Sequence, residues 1–230
     1  MNKYCPKNGN PHMNNQNIYC SGPLFCPEEI AGMQAISQTL EKSGYTTYLP
    51  HRDGLEAYVL KYINTPLNTR LFGIRNHIDQ AIFALDIYQI VKCCQAIVVN
   101  LNGRTPDEGA IVEASIAFSC NKPVLFYKND SRFPFNGRDN AMILGLTSYP
   151  IESDIDAIPK RLDQILKNDD HNSVNIDLNG QLSKSIAHGE RIWTLMKPLR
   201  HIQQQTTQHI ENLIQQVIKS CDEFSFIQDR

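Results

Sequence analysis

The sequence lacks a long hydrophobic run. No apolar stretch reaches the roughly 18 residues that a membrane-spanning helix needs. It also lacks an excess of charge of either sign, because 22 Lys and Arg residues stand against 24 Asp and Glu residues. Such a balance argues against a protein that binds nucleic acid through its phosphates. The opening residues contain no apolar core of a secretory signal, and we interpret them as a polar tail.

Metal and phosphate motifs are lacking too. The seven cysteines form no Cys-x-x-Cys pair and no Cys/His set with the spacing of zinc ligands. Reduced thiols in a cytoplasmic protein are therefore expected. The sequence contains no glycine-rich phosphate loop and no Gly-x-Ser-x-Gly elbow of a serine hydrolase. We therefore expect no metal and no other cofactor.

Strand-like and helix-like patterns alternate along the first two thirds of the chain. Short apolar or β-branched runs predict strands at residues 17–21, 45–49, 96–101, 124–127 and, as a last one, near 147–151. Helical spacing predicts helices at residues 27–42, 55–63, 74–94, 108–120, 139–144 and 155–166. This alternation predicts an α/β fold, with a flavodoxin-like, doubly wound parallel sheet of five strands. Ligands of such sheets bind beyond the carboxyl ends of the strands.

The character of the sequence changes after residue 168. Residues 181–220 have helical spacing but are very polar, and each segment carries one narrow apolar stripe. We interpret them as a helical hairpin, broken near Pro198, that packs on the core or on another subunit, with Trp193 anchoring it. The predicted organisation is a tail over residues 1–16, an α/β domain over 17–168 and a helical extension over 169–230.

A concentration of acids follows the most apolar predicted strand. Asp107 should lie at the start of the next helix, where an Asp is usually an N-cap. Glu113 lies inside that helix among apolar neighbours, where a carboxylate is rarely buried without a partner or a function. An exposed position on the helix is the alternative for Glu113.

Several segments, taken in order, match a family pattern. They are IYCSGPLF at 18–25, similar to IYxAGPxF; PHRD at 50–53; IFALD at 82–86, similar to IFxxD; and NLNG at 100–103 followed by DEGAIVE at 107–113, similar to NLDG…DxGxxxE. Over residues 17–166 the chain resembles the nucleoside 2-deoxyribosyltransferases. The resemblance implies a pentosyltransferase of nucleoside salvage, acting on a 2′-deoxyribonucleoside and a free nucleobase.

The resemblance also implies roles for single residues. Glu113 corresponds to the nucleophile that attacks C1′ of the sugar, and Asp107 to the acid that contacts the base and helps to protonate it. Asp86 and Tyr19 correspond to residues that position the sugar and the nucleophile. Asn140 and Met142 match a segment that reaches into a neighbouring subunit, which implies a homo-oligomer with shared active sites. The other expected substrate-binding residues are Gly22, Pro23, Phe25, Arg52, Asp53, Asn102 and Gly109.

Two carboxylates suit the cleavage of an N-glycosidic bond. One stabilises the sugar cation and can bond to it, while an acid neutralises the leaving base. Three functions stay open: base exchange with retention through a deoxyribosyl ester of Glu113, hydrolysis of a deoxynucleoside 5′-monophosphate, and nucleotide sensing without catalysis. Arg52 could meet a phosphate or belong to a loop ion pair, and Asn140 could be only a helix cap.

Overall fold

The computed structural model describes residues 16–63, 74–103, 105–132, 138–168, 180–202 and 204–224. Apart from residue 16, the predicted polar tail lies outside this part of the chain. One parallel sheet has the strand order β2-β1-β3-β4. Its strands are β1 (Asn17–Ser21), β2 (Thr46–Tyr48), β3 (Ala96–Asn100) and β4 (Val124–Tyr127).

The strand order decides where a ligand can bind. β1 pairs in parallel with β2 on one side and with β3 on the other. The chain thus places β2 on one side of β1 and then crosses over to place β3 on the other side. The carboxyl ends of β1 and β3 therefore lie next to each other at the point where the strand order reverses. Crevices at such reversals are the usual ligand sites of parallel sheets. All residues of β3 are buried, as its continuous apolar run predicts.

Helices cover both faces of the sheet. Those of the first part of the chain are α1 (Pro27–Lys42), α2 (Pro50–Asp53), α3 (Glu56–Ile63), α4 (Arg75–Tyr88) and α5 (Glu108–Ser119). They are followed by α6 (Ala141–Leu144) and α7 (Ile158–Asn168). α1 and α7 pack on one face, and α4 and α5 on the other. A π-helical turn, Gln89–Cys93, prolongs α4, and a 3₁₀ turn, Ile155–Ala157, precedes α7.

The bounds of α1 show how local sequence sets an element. Pro27 occupies the first turn, where its missing N–H costs nothing. The carboxylate of Glu29 accepts the N–H groups of Phe25 at 2.8 Å and Cys26 at 3.1 Å. After the helix, Gly44 has a φ of 92°, a left-handed conformation that favours glycine. The predicted helix over residues 27–42 is confirmed.

The fifth strand expected near residues 147–151 is not formed. Glu152 instead makes a single parallel bridge to Tyr127. Pro150 has no N–H for a strand ladder, and the hydroxyl of Thr147 itself binds main-chain groups. The described residues thus form an α/β fold with four parallel strands, and the flavodoxin-like arrangement of five strands is not confirmed.

The predicted helical hairpin consists of α8 (Gly180–Arg200) and α9 (Thr207–Glu223). α8 continues past Pro198 to Arg200, so the break between the two helices lies a few residues after this proline. Both helices pack on α4 of the same chain, and α9 also packs on α3, through an apolar cluster that includes Leu85, Ile192 and Leu213. Within the described ranges, no helix combines the length and apolar character that crossing a membrane requires.

Gly189 sets the distance between α8 and α4. A Cβ at this position would lie 2.0 Å from the main-chain oxygen of Ala84 and 2.6 Å from Cβ of Tyr88. Gly189→Ala should therefore force the helices apart and lower the free energy of unfolding by about 3 kcal/mol, measured by urea denaturation. Gly180→Ala is the control, since its added Cβ has no described neighbour within 4 Å beyond the adjoining residues and the backbone of its own helical turns. Equal stability of the two variants would contradict this close approach.

Candidate active site

The centre of the site is the carboxylate of Glu113. Tyr19 and Ser21 point to one face of the sheet, because side chains two positions apart on a strand share a face. α5 crosses this face and brings Glu113 over them. The hydroxyl of Tyr19 donates to Oε1 of Glu113 at 2.7 Å, and the hydroxyl of Ser21 donates to Oε2. Both carboxylate oxygens are therefore held, while the residue is only partly buried.

Two further carboxyl groups lie close to Glu113. Asp86 on α4 is 9% exposed, and its Oδ1 lies 3.5 Å from the hydroxyl of Tyr48 on β2. Glu56 on α3 has a buried Oε2 without a hydrogen-bond partner among the described residues. A Cβ placed on Gly54 would be 2.4 Å from this oxygen and 2.9 Å from the Tyr48 hydroxyl. The Glu56 oxygen and the Tyr48 hydroxyl therefore both lie beside Gly54. We call Glu56, Asp86 and Glu113 the carboxyl cluster.

Burial dominates the electrostatics of the carboxyl cluster. It raises the pKa of Glu113 to about 7 against two opposing hydroxyl hydrogen bonds, and the charge of Glu56 raises this pKa further. Burial also raises the pKa of Asp86 well above its usual range, with the charges of Glu56 and Glu113 adding to it. The pKa of Glu56 is raised by burial as well. The cluster can therefore offer both an ionised and a protonated carboxyl group near neutral pH.

Asp107 belongs to the helix cap and to the surroundings of the site. Its carboxylate accepts the N–H of Ala110 at 2.7 Å, which confirms the N-cap interpretation. Its charge also acts on Glu113 and raises the pKa of that group. Gly109 follows in the first turn, where a Cβ would lie 3.2 Å from Oδ2 of Asp107. α5 thus carries an acid at its start and the central carboxylate farther along.

A family model described as nucleoside 2-deoxyribosyltransferase matches residues 18–148, more than half of the chain. The chain belongs to the nucleoside 2-deoxyribosyltransferase family. The matched residues include the whole carboxyl cluster and Asp107 but end before α7. None of the curated proteins matches the sequence. Among solved structures, a conserved protein from Enterococcus faecalis V583 is similar, with 17% identity, a TM-score of 0.46, and coverage of 66% of this chain and 99% of that chain.

In this member of the nucleoside 2-deoxyribosyltransferase family, Arg52 forms ion pairs with two acidic side chains. Its guanidinium contacts Oε1 of Glu41 at 2.9 Å and Oδ2 of Asp53 at 2.8 Å, and it donates to the main-chain oxygen of Thr47 at 3.0 Å. Asp53 also accepts the N–H of Leu49 at 2.9 Å. Both residues anchor the segment after β2, and contacts of Arg52 and Asp53 with a substrate or a phosphate stay predictions.

Two expected binding residues have structural contacts in the loops. The side-chain oxygen of Asn102 accepts the N–H groups of Asn129 at 2.9 Å and Asp130 at 3.1 Å, which joins the loops after β3 and β4. Asn140 caps α6 by accepting the N–H of Met142 at 2.9 Å. The Met142 side chain is 81% exposed. Contacts of these residues with a substrate or a second subunit stay predictions.

The segment after β1 borders the central carboxylate. A Cβ on Gly22 would lie 2.6 Å from Sδ of Met33 and 2.8 Å from Cβ of Asn100, so only glycine lets the ends of β1 and β3 come this close. Pro23 is buried. Phe25 is 84% exposed, and its substrate contact stays a prediction.

Three residues of the candidate site were not predicted from the sequence. Ser21 could have been found, because it stands two positions after Tyr19 at the end of the same strand. Tyr48 ends the neighbouring strand at the same edge, which is a weaker signal. Glu56 gave no signal, because an acid in the first turn of the helix predicted at residues 55–63 is an ordinary feature of a helix start.

The raised pKa of Glu113 predicts a pH-dependent stability. Between its ordinary value of 4.5 and about 7, the folded chain binds a proton that the unfolded chain does not, so stability falls as the pH rises through this range. Glu113→Gln removes the ionising group. The free energy of unfolding of this variant, minus that of the unsubstituted chain, should therefore increase by roughly 1 to 3 kcal/mol between pH 5 and pH 8.

Urea denaturation at both pH values measures this difference. Glu108→Gln is the matched control, because Glu108 is exposed in the first turn of the same helix. The control should change equally at both pH values. A Glu113→Gln effect that does not depend on pH would contradict the elevated pKa.

Proposed function

We propose that this chain exchanges the base of 2′-deoxyribonucleosides, with Glu113 as the nucleophile. The observation that carries the proposal is the carboxylate of Glu113, held through both oxygens by Tyr19 and Ser21 at the carboxyl end of β1. A carboxylate fixed in this way can approach an anomeric carbon from one face without searching for its orientation. The family of the chain supports the same reaction.

The first step forms a bond from a Glu113 carboxylate oxygen to C1′ as the bond from C1′ to the base nitrogen breaks. The base leaves with the electron pair and receives a proton, for which Asp107 is the proposed donor. The sugar is then held as an ester of Glu113. In the second step a nitrogen of the incoming base attacks C1′, the ester bond breaks, and the electron pair returns to Glu113. The proton of that nitrogen passes to Asp107, which restores the donor used in the first step. Two inversions give overall retention.

The surroundings of Glu113 fit this chemistry. A positive charge develops on the sugar in the transition state, and a partly buried carboxylate stabilises it more strongly than one in bulk water. Deoxyribose forms this cation readily because it lacks the electron-withdrawing 2′-hydroxyl. Asp86, whose pKa is raised by burial, can offer a proton to a sugar hydroxyl. Glu113 must be ionised to attack, so the rate should rise as the pH increases through about 7 and level off above it.

The proposal extends to the assembly. We propose a cytoplasmic homo-oligomer in nucleoside salvage, in which Asn140 and Met142 complete the site of a neighbouring subunit. The exposure of Met142, 81%, leaves its side chain available for such a contact. The α/β domain over residues 17–168 would then carry the reacting carboxyl groups, and the helical extension over 169–230 would pack against it.

Substitution of the nucleophile tests the reaction. Glu113→Ala should fold and lose base exchange by at least about 1,000-fold, because the variant lacks the carboxylate that forms the ester. The assay incubates 2′-deoxyinosine or thymidine with a panel of free bases and separates the products by chromatography. Glu108→Ala, on the exposed side of the same helix, should keep the exchange rate.

The assay also separates the other functions. Free base without any new nucleoside would indicate hydrolysis, and binding without turnover would indicate a sensing module. Exchange by Glu113→Ala at the unsubstituted rate would disprove the assignment of the nucleophile.

A further inference from the structure

A row of aromatic rings connects the C-terminal helix α8 to the candidate site. α8 lies outside the residues 18–148 that the family model matches. Its Trp193 meets the ring of Tyr48 edge-on, with ring centres 6.0 Å apart. Tyr48 stacks on Tyr19 at 5.3 Å, and Tyr19 donates to Glu113. The side chain of Trp193 therefore packs on the second ring from the central carboxylate.

The sheet alone does not fix the side chain of Tyr48. β2 is the short edge strand of the described sheet and pairs with β1. The Tyr48 ring is nevertheless 2% exposed, and its hydroxyl lies 3.5 Å from Oδ1 of Asp86. The Tyr48 ring contacts two other aromatic rings, those of Tyr19 and Trp193. Trp193 thus supplies packing that an edge strand cannot provide.

A second contact of α8 reaches the helical turn that carries Asp86. Gly189 fits against the main-chain oxygen of Ala84 and Cβ of Tyr88, and an added Cβ would meet both within 2.6 Å. Ala84 and Tyr88 stand two positions before and two positions after Asp86. This close approach of α8 to α4 therefore lies at the helical turn that carries Asp86.

Arg200 joins the end of α8 to the segment after β2. Its guanidinium lies over the ring of Trp193, 4.2 Å from the ring centre, and 3.9 Å from Oδ1 of Asp53. Asp53 in turn accepts the N–H of Leu49 at 2.9 Å, directly after Tyr48. Arg200 therefore links the Trp193 ring to the backbone beside Tyr48.

We infer that α8 is part of the catalytic apparatus and that Trp193 is a positioning residue, which holds the Tyr48 hydroxyl at Asp86 and keeps water from the carboxyl cluster. The inference rests on the proposed function, because it links Trp193 to the reaction at Glu113. It gives the C-terminal helices a role beyond packing on α4. Trp193 packs against both the apolar cluster on the site face and the cluster of the hairpin, as this role requires.

Steady-state kinetics of base exchange give the first test. Trp193→Ala should lower kcat at least ten-fold with little change in KM, since Trp193 acts through Tyr48, and Trp193→Phe should retain most of the rate. Leu213→Ala is the matched control for lost stability, because Leu213 is 2% exposed in the cluster of α9, α8 and α4. At a temperature where all variants are folded, the control should keep kcat.

The pH dependence of stability gives a readout that needs no activity. Water admitted by Trp193→Ala should return the pKa values of the carboxyl cluster toward their ordinary range. The loss of stability from pH 5 to pH 8 should then be smaller than in the unsubstituted chain, whereas Leu213→Ala should keep it. A merely structural role of Trp193 would leave this dependence unchanged.

Arg200→Gln is a second variant, which tests the same inference if Trp193→Ala does not fold. It should lower kcat several-fold, while Lys197→Gln, which removes the same charge from an exposed position in the last turns of α8, should not. Unchanged kcat and unchanged pH dependence in Trp193→Ala and Arg200→Gln would overturn the inference. If the unsubstituted chain exchanges no base, the proposed function fails, and the pH dependence of stability alone decides the inference.

Discussion

The burial of several carboxyl groups beside one another is the constraint that the rest of the structure supports. Carboxylates in a partly dry site repel each other and lose hydration, so each must be protonated or hydrogen-bonded. Tyr19 and Ser21 supply hydrogen bonds to Glu113, and the Tyr48 hydroxyl lies near Asp86. The apolar layers of α4 and α5 on the sheet supply the packing that offsets the remaining cost.

The parallel sheet brings these groups together from distant parts of the chain. Each strand ends at the same edge, and the helix that follows begins there. The alternation of patterns was therefore sufficient to predict most strands and helices. The acid within an apolar helix made Glu113 a candidate, with an exposed position as the alternative, and the resemblance gave it the role of nucleophile. The resemblance added Asp86 and Tyr19, which the structure places at the same carboxylate.

Other features depend on tertiary contacts that a local pattern does not contain. The segment at 147–151 has strand-like residues, but Pro150 and the contacts of Thr147 prevent a ladder. Glu56 enters the carboxyl cluster only because Gly54 leaves room for its carboxylate. The apolar stripe of α8 predicts a partner surface, but the stripe does not identify that surface as the turn of α4 that carries Asp86.

The position of the sole tryptophan has a further consequence. Trp193 packs edge-on against a tyrosine of the site and under the guanidinium of Arg200. Its indole emission depends on the polarity and charge of these immediate surroundings. The protein thus carries an intrinsic optical reporter, free of background from any other indole, at the boundary between its chemistry and its C-terminal helices.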